Sequence, residues 1–576
     1  LRGERGRPRV TREVVAQYAA DGHLAILLGA DSSVGQACHR RRPDLAAAEL
    51  RWWHHEVGAT VYVEICSHLE ATGAIRSSAA AARLLQMARD TGTTAVLTNA
   101  VRYPAPEQAP VADVLDAVRR LVPISRRHLD RSNAQGYLKG WPELRGVADE
   151  IVAMAGGAAV ERARLLADTI ALAESCALDP IADVGLGDIH VPELAVVAAG
   201  SRAERAGDVR SVLAGYESRR RPQARIDQEA RHAHDLLSAR CNRELDRRRV
   251  TSAAAAQRLA AELAVIADLG FAGYFLTVVE VVDLIRDMGV RVAARGSGAG
   301  SLVNYLLGIS GVDPIRHNLL MERFLSPLRR SLPDIDVDVE SARRTEVYER
   351  ILARFGGERC TCVSMRDTYR VRHAIRDVGA ALGMSPGDVD AFAKAFPHIR
   401  AAQVREALTE LPEVRASEIG RRAATGELEV FLDLVTALDG LPRHIAVHPC
   451  GVLLSDATML DRTPVEASWQ GFPMSQFDKD DVEALGFLKL DVLGIRMQSA
   501  MQYAVAEIGR VDGQQVVLDE IPLDDPDTFA LIGSTRTLGC FQIESPGQRE
   551  LLGKFGPRTF DDIIIDISLF RPGPVK

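Results

Sequence analysis

The segment Leu332–Glu340 reads LPDIDVDVE, apolar and acidic residues in strict alternation. As a β-strand it puts Ile335, Val337 and Val339 on one face and Asp334, Asp336 and Asp338 on the other. Neighbouring Cα atoms on a face are then about 6.6–7 Å apart. Like charges at that spacing repel one another and make a poor strand. A divalent cation is one resolution, because hard carboxylate oxygens suit Mg²⁺ or Mn²⁺, which bridge carboxylates to a polyphosphate. A solvent-facing edge strand kept soluble by its charge is the other. Asp491 stands alone in the apolar run FLKLDVLGIR, Phe487–Arg496. A buried carboxylate is costly unless paired or metal-bound. Lys489 shares its strand face, so a plain ion pair competes with metal ligation there.

A third element, Arg295–Ser301 (RGSGAGS), follows the apolar run Val290–Ala294 and precedes the helix-like SLVNYLLG. Strand, Gly/Ser loop and helix start together point backbone N–H groups at a phosphate, and Ser297 and Ser301 can add hydroxyl donors. The spacing is neither that of a P-loop nor that of a dinucleotide fold. Arg323, in MERFLSP, supplies further charge for a triphosphate. Loop, strand carboxylates and a third carboxylate are the set that two-metal phosphoryl transfer requires, with ions about 3.5–4 Å apart.

These residues need rigid elements to hold them. Thr251 or Ser252 can cap a helix to Leu269 that Gly270 ends, and a second apolar helix runs Tyr274–Met288 to Gly289. Farther upstream, Ala59–Ile65 and Thr94–Leu97 read as buried strands flanking a helical Ser77–Thr91. That is βαβ grammar, and it predicts an α/β domain to about residue 130. Glu143–Leu178 reads as helical and Pro180–Pro192 as a connecting loop. Gly200–Arg249 is rich in Arg, Glu and Ala. Its clusters Arg219–Arg221 and Arg247–Arg249 fit either solvated helix faces or phosphate contacts.

With 576 residues, 47% hydrophobic and 26% charged, the composition is that of a multidomain globular chain. The net charge of −8 argues against nucleic-acid binding over the whole surface but leaves room for a local basic groove. No apolar run reaches the length of a membrane span, and the first residues lack a signal-peptide core. The start at Leu1 and the stop at Lys576 read as those of a piece of a longer protein. Of eight cysteines only Cys360 and Cys362 are close, and without a C-x-x-C pair a zinc ribbon is not expected. Reduced thiols of a cytosolic protein are the expectation.

RGSGAGSLVNYLLGI, ERFLSP, LPDIDVDVE, SQFDKDDVE, LKLDVLGIR, FQIESPG and LFRPGP occur here in one order. That ordered set resembles bacterial C-family DNA polymerases, the DNA polymerase III alpha subunits, over most of the chain. VESARRTEVYE and RHIAVHPCGVLLSD look most similar to the error-prone, translesion branch.

The resemblance implies an α/β and α+β multidomain chain. Its parts would be the C-terminal part of a PHP-like domain with a helical extension (1–190), a polymerase-beta-like palm (191–365 and 446–497), an inserted helical thumb (366–445) and the start of the fingers (498–576). It implies catalytic, metal-binding Asp334, Asp336 and Asp491, with Asp338 in support. Arg295, Gly296, Ser297, Arg323 and Lys489 would bind the nucleotide. Arg366, Arg370, Arg372 and Arg376, which together with Arg359 recur near helical spacing, would grip DNA phosphates unless they are a solvated helix face. The implied cofactor is two Mg²⁺ ions, with Mn²⁺ possible. The implied partners are primer–template DNA and dNTPs, and, through regions outside this chain, a sliding clamp and translesion accessory proteins, with no membrane. A cytoplasmic, nucleoid-associated protein is expected. A replicative alpha subunit, a PHP-type phosphoesterase and a DNA-binding scaffold with an inactive palm are the alternatives. Glu64 and His68 match PHP ligand positions, but the His-rich opening segment is missing and Asn99 replaces an Asp, so no exonuclease is assigned. His54 and His55 are expected on an exposed helix face.

Overall fold

The computed structural model describes residues 9–19, 24–129, 131–198, 223–250, 252–329 and 332–569. Thr251, the Arg219–Arg221 cluster and all but the first residue of LFRPGP lie outside them. The chain forms two compact units. The first comprises 1–186, 364–447 and 466–478, and the second 187–363, 448–465 and 479–576. No single helix among the described residues is long and apolar enough to cross a membrane.

The first unit contains a parallel sheet in the order β1 (Ile26–Leu28), β2 (Val61–Cys66), β3 (Thr94–Thr98). Between β2 and β3 runs the helix Ser78–Thr91, started by Ser77, whose hydroxyl accepts from Ala80 N, and ended by Gly92 at φ +69°. The βαβ expectation therefore stands. The helical stretch near its end is two helices, Trp141–Met154 and Ala159–Ser175. Val61, Val63 and Ile65 of β2 pack with Leu84, Leu85, Ile151 and Leu165 in one apolar core. His55 is exposed as expected. His54 is not: its Nε2 lies 2.8 Å from Thr93 Oγ1 and its Nδ1 3.3 Å from Gly58 O, because it sits on the sheet-facing edge of the helix Pro43–Val57. A second core in this unit surrounds the helix Val371–Ala381, with Phe392, Phe396, Phe431 and Leu432.

The remaining strands are β4 (Val292–Arg295), β5 (Asp336–Glu340), β6 (Cys360–Thr368), β7 (Pro442–Leu454), β8 (Val465–Ala467), β9 (Pro473–Asp478) and β10 (Leu488–Ile495). In the second unit β4, β5, β10 and the C-terminal part of β7 are successive neighbours. β5 and β10 are parallel, whereas β4 on β5 and β7 on β10 are antiparallel. Ile335, Val337, Val339, Leu488, Leu490 and Val492 are fully buried, so the sheet presses its apolar face inward and turns its acids away. The helix Ala272–Asp287 is apolar around most of its circumference and correspondingly buried. It is preceded by Ala253–Asp268, for which Ser252 is the cap and Gly270, at φ +71°, the stop. All eight cysteines are free thiols.

Candidate active site

Register brings the acids together. Asp491 of β10 pairs with Asp336 of β5, and Asp336 also pairs with Arg295 of β4. Ligand oxygens of Asp334, Asp336 and Asp491 all lie within 4.8 Å of one another. Their side chains are graded in exposure: 61% for Asp334, 31% for Asp336 and 14% for Asp491. The strand starts at Asp336 rather than at Leu332, so Asp334 is on its threshold, the most exposed of the three. Tyr274 fixes that threshold: its buried hydroxyl donates to Pro333 O at 2.6 Å, one residue before Asp334.

Lys489 Nζ donates to Asp491 Oδ2 at 2.7 Å and lies 3.9 Å from Asp334 Oδ1. The ion pair anticipated from sequence is thus present, yet it uses one oxygen only. Asp491 Oδ1 is buried with no hydrogen-bond partner among the described residues. Burial pulls the Lys489 ammonium down, but the bond to Asp491 and the charges of Asp491, Asp334 and Asp336 outweigh it and leave it raised. Arg295 Nε sits 3.2 Å from Asp338 Oδ1 and 3.7 Å from Asp336 Oδ2. Burial pushes the Asp336 carboxyl up, and the like charges of Asp334 and Asp491 push it further. Asp338 is also raised, by burial first, with Arg295 opposing. An orphaned buried oxygen, crowded carboxylates and an all-oxygen donor set fit a hard divalent cation, which would be held by Asp334, Asp336 and Asp491.

The Gly/Ser loop corrects the sequence reading. Arg295, Gly296 and Ser297 are exposed beside Asp336, with Gly296 at φ +80°, a left-handed conformation that glycine adopts freely. The helix after the loop, Leu302–Leu306, does not offer its first amides to a phosphate. Glu262, 1% exposed, already fills that position. Its oxygens accept from Leu302 N at 3.0 Å, Val303 N at 3.1 Å and Ser301 Oγ at 2.9 Å. Ser301 is buried and caps the helix, so only Ser297 of the two serines faces solvent. Arg258, one turn before Glu262, donates to it at 2.9 Å and reaches Gly300 O at 2.7 Å and Leu319 O at 2.8 Å. The pair ties the loop to the segment leading into Met321–Arg323, on which Arg323 is exposed. Phe324, edge-on to Phe275 at 6.2 Å, anchors that segment from below.

The arginines expected on one helix are not together on one. Arg359 is buried, its Nε 2.8 Å from Glu193 Oε2, and is a structural pair. Arg366 is exposed on β6, and Arg370 is the exposed cap residue of the helix Val371–Ala381. Only Arg372 and Arg376 lie within that helix. Both are engaged: Arg372 with Phe396 O at 2.7 Å, Arg376 with Asp390 Oδ1 at 3.1 Å. The spacing resembled a helix because a strand end, a turn and a helix start happened to follow it. At the two positions that sequence resemblance matched to PHP ligands, Glu64 accepts from Thr98 Oγ1 at 2.7 Å and His68 Nε2 lies 2.8 Å from Asn99 O. The Lys139 ammonium donates to Asn99 Oδ1 at 3.2 Å and to Gln135 O, placing a built-in cation there.

Glu262, Arg258 and Tyr274 were missed in the sequence. Glu262 and Arg258 look like ordinary polar residues of an Ala-rich helix. A Glu on an otherwise buried helix face, four residues after an Arg, was the available signal.

Comparison with known proteins agrees with the order of the motifs. Residues 232–494 match the family model of the bacterial DNA polymerase III alpha NTPase domain, and residues 497–576 that of the bacterial DNA polymerase III alpha subunit finger domain. The chain is 32% identical to an error-prone DNA polymerase of Nocardia farcinica, over all of this chain and 47% of the relative. It is 33% identical to one of Symbiobacterium thermophilum, over 84% of this chain and 40% of the relative. With one of Bordetella parapertussis it shares 39% identity over 57% of this chain and 30% of the relative. It thus spans about half or less of the length of these relatives. Both family models describe parts of the same subunit and follow one another along the sequence, and the chain belongs to the bacterial DNA polymerase III alpha family.

Proposed function

We propose that this chain carries the nucleotidyl-transfer centre of a DNA-directed DNA polymerase that adds dNTPs to a primer 3′ end, and that it serves error-prone synthesis across damaged template. The observation that carries the first part is the convergence of Asp336 and Asp491, on adjacent parallel strands, with Asp334 at the threshold of one of them, and a buried oxygen of Asp491 left over. Two Mg²⁺ ions, or Mn²⁺, held there would lower the pKa of the attacking hydroxyl and neutralise the departing pyrophosphate. The protein's own groups bind and orient. Arg295, Gly296, Ser297 and Arg323 form an exposed, basic, close-approach lining for the triphosphate. Lys489 keeps its proton and holds one oxygen of Asp491, which would leave the other available to a cation.

The stretches 191–365 and 446–497 then act as palm, 366–445 as thumb and 498–576 as the start of the fingers, with 1–190 the C-terminal part of a PHP-like domain and its helical extension. Exposed Arg366 and Arg370 are the DNA-backbone contacts of the thumb; Arg372 and Arg376, held by internal partners, shape it. The error-prone role rests on the names of the relatives and on RHIAVHPCGVLLSD. A sliding clamp and accessory proteins would bind regions outside this chain, in a cytoplasmic, nucleoid-associated assembly.

Primer extension by the intact protein with Mg²⁺ tests the chemistry. Asp336→Ala should slow it by about 10³-fold, the rate equivalent of several kcal/mol of lost charge stabilisation. Undiminished extension by the variant overturns the site, and no extension by the wild type leaves only a DNA-binding scaffold. Bypass of an abasic template with raised misincorporation supports the error-prone role, and stalling there supports a replicative one.

A further inference from the structure

We propose that His448 is a substrate-contacting residue of this site, donating a hydrogen bond from Nε2 to a phosphate oxygen of the nucleotide or of the primer end. The inference rests on the polymerase reading above and adds a residue to it.

The imidazole is held by its own strand. Its Nδ1 accepts from Gly451 N at 3.1 Å and from Cys450 N at 3.4 Å. A ring nitrogen that accepts from amides carries no proton, so the proton of the neutral ring is on Nε2, which can only donate. Among the described residues no group accepts from that nitrogen. The fold-back needs glycine at 451, where a Cβ would lie 2.7 Å from Val363 Cγ2 and 3.3 Å from His448 Nδ1.

The turn carrying the ring is itself pinned. Pro449 O accepts from Arg344 Nη1 at 2.8 Å and from Tyr348 Oη at 3.3 Å, both on the helix Arg344–Phe355. The Tyr348 hydroxyl also lies 3.2 Å from Val492 O, the carbonyl that follows Asp491. Gly451 is the ladder partner of Asp491. The ring is therefore built in beside the triad, half-buried, with its distal N–H unspent. Burial first, then Lys489 and Lys479, pull the ring's pKa down against the opposing charge of Asp491. A neutral donor next to carboxylates and an ammonium adds no charge to the site. It suits an acceptor that arrives with the substrate, and in nucleotidyl transfer the anionic acceptors that arrive are phosphate oxygens.

The test separates the two ring nitrogens. In the intact protein, Asn at 448 places an acceptor where Nδ1 was and removes the distal donor, while Gln places an amide N–H near Nε2 and gives up the cap. His448→Asn should keep the thermal midpoint and weaken phosphate recognition by about tenfold or more, as expected for one hydrogen bond to a charged acceptor, and His448→Gln should restore recognition despite a lower midpoint. A rise in KM for dNTP assigns the acceptor to the nucleotide, and a rise in Kd for primer–template assigns it to the primer end. Wild-type levels of both in His448→Asn overturn the proposal and leave the histidine a turn cap. A wild type inactive in extension overturns the polymerase reading instead.

Discussion

Glu262→Ala strips one carboxylate from four donors: Leu302 N, Val303 N, Ser301 Oγ and the Arg258 guanidinium. Hydrogen bonds to a charged acceptor contribute about 1.5–3 kcal/mol each, but members of one network do not add. Removing one partner of a buried pair costs about 3–5 kcal/mol. Arg258, whose side chain is 26% exposed, recovers part of this by reaching water. The two amides cannot, because the start of their helix is buried. The expected loss is therefore about 3 kcal/mol, concentrated in the Gly/Ser loop and the helix it feeds. A single unfolding free energy is poorly defined for a chain of several units, so the assay is local. Amide hydrogen exchange at Leu302 and Val303 should accelerate by about two orders of magnitude, the exchange equivalent of that loss. Glu262→Gln should fall between, since an amide keeps one acceptor oxygen but turns an NH₂ toward other donors. Unchanged protection in Glu262→Ala would refute the idea that this carboxylate fills the helix end.

Two further outcomes follow from the geometry. Asp336 and Asp338 have folded-state pKa values raised by burial, so the folded chain holds their protons longer than the unfolded chain does. Their cost is absent below the ordinary value of 3.8, grows as pH rises through the raised values and is complete above them. A bound cation relieves that cost at Asp336, so the stabilisation conferred by Mg²⁺ should grow from acid to neutral pH; a Mg²⁺-induced shift in thermal midpoint that is equal at both ends would rule this out. Arg366→Ala and Arg370→Ala should each lower the slope of log affinity for duplex DNA against log salt by about 0.9, one phosphate contact. Arg376→Ala should leave that slope in place, because its guanidinium is already committed to Asp390; a smaller slope for Arg376→Ala would show that the helix itself lies on DNA.

Local chemistry was legible in the sequence because it depends on near neighbours alone. Alternation in LPDIDVDVE put Ile335, Val337 and Val339 inside and the aspartates outside, since side chains of a strand point to opposite faces whatever surrounds it. Ser252, one of two cap candidates, with Gly270 and Gly289, marked helix ends for the same reason: a cap acts within one turn. The ordered motifs point to the family without reference to any fold, and the family models agree.

Tertiary structure decided what distant segments do to one another. Only the pairing of β10 with β5 sets Asp491 opposite Asp336, and no local pattern carries that register. The glycine-rich loop looked like a phosphate cradle until Glu262, from a separate helix, was seen to occupy the amides that a phosphate would have used. Arg359 through Arg376 suggested one basic helix, but the chain turns from β6 into the helix Val371–Ala381 and gives each arginine a different partner or, among the described residues, none. An amide or a charge shows in sequence as a capacity to bond; which group satisfies it is settled only when the chain has packed.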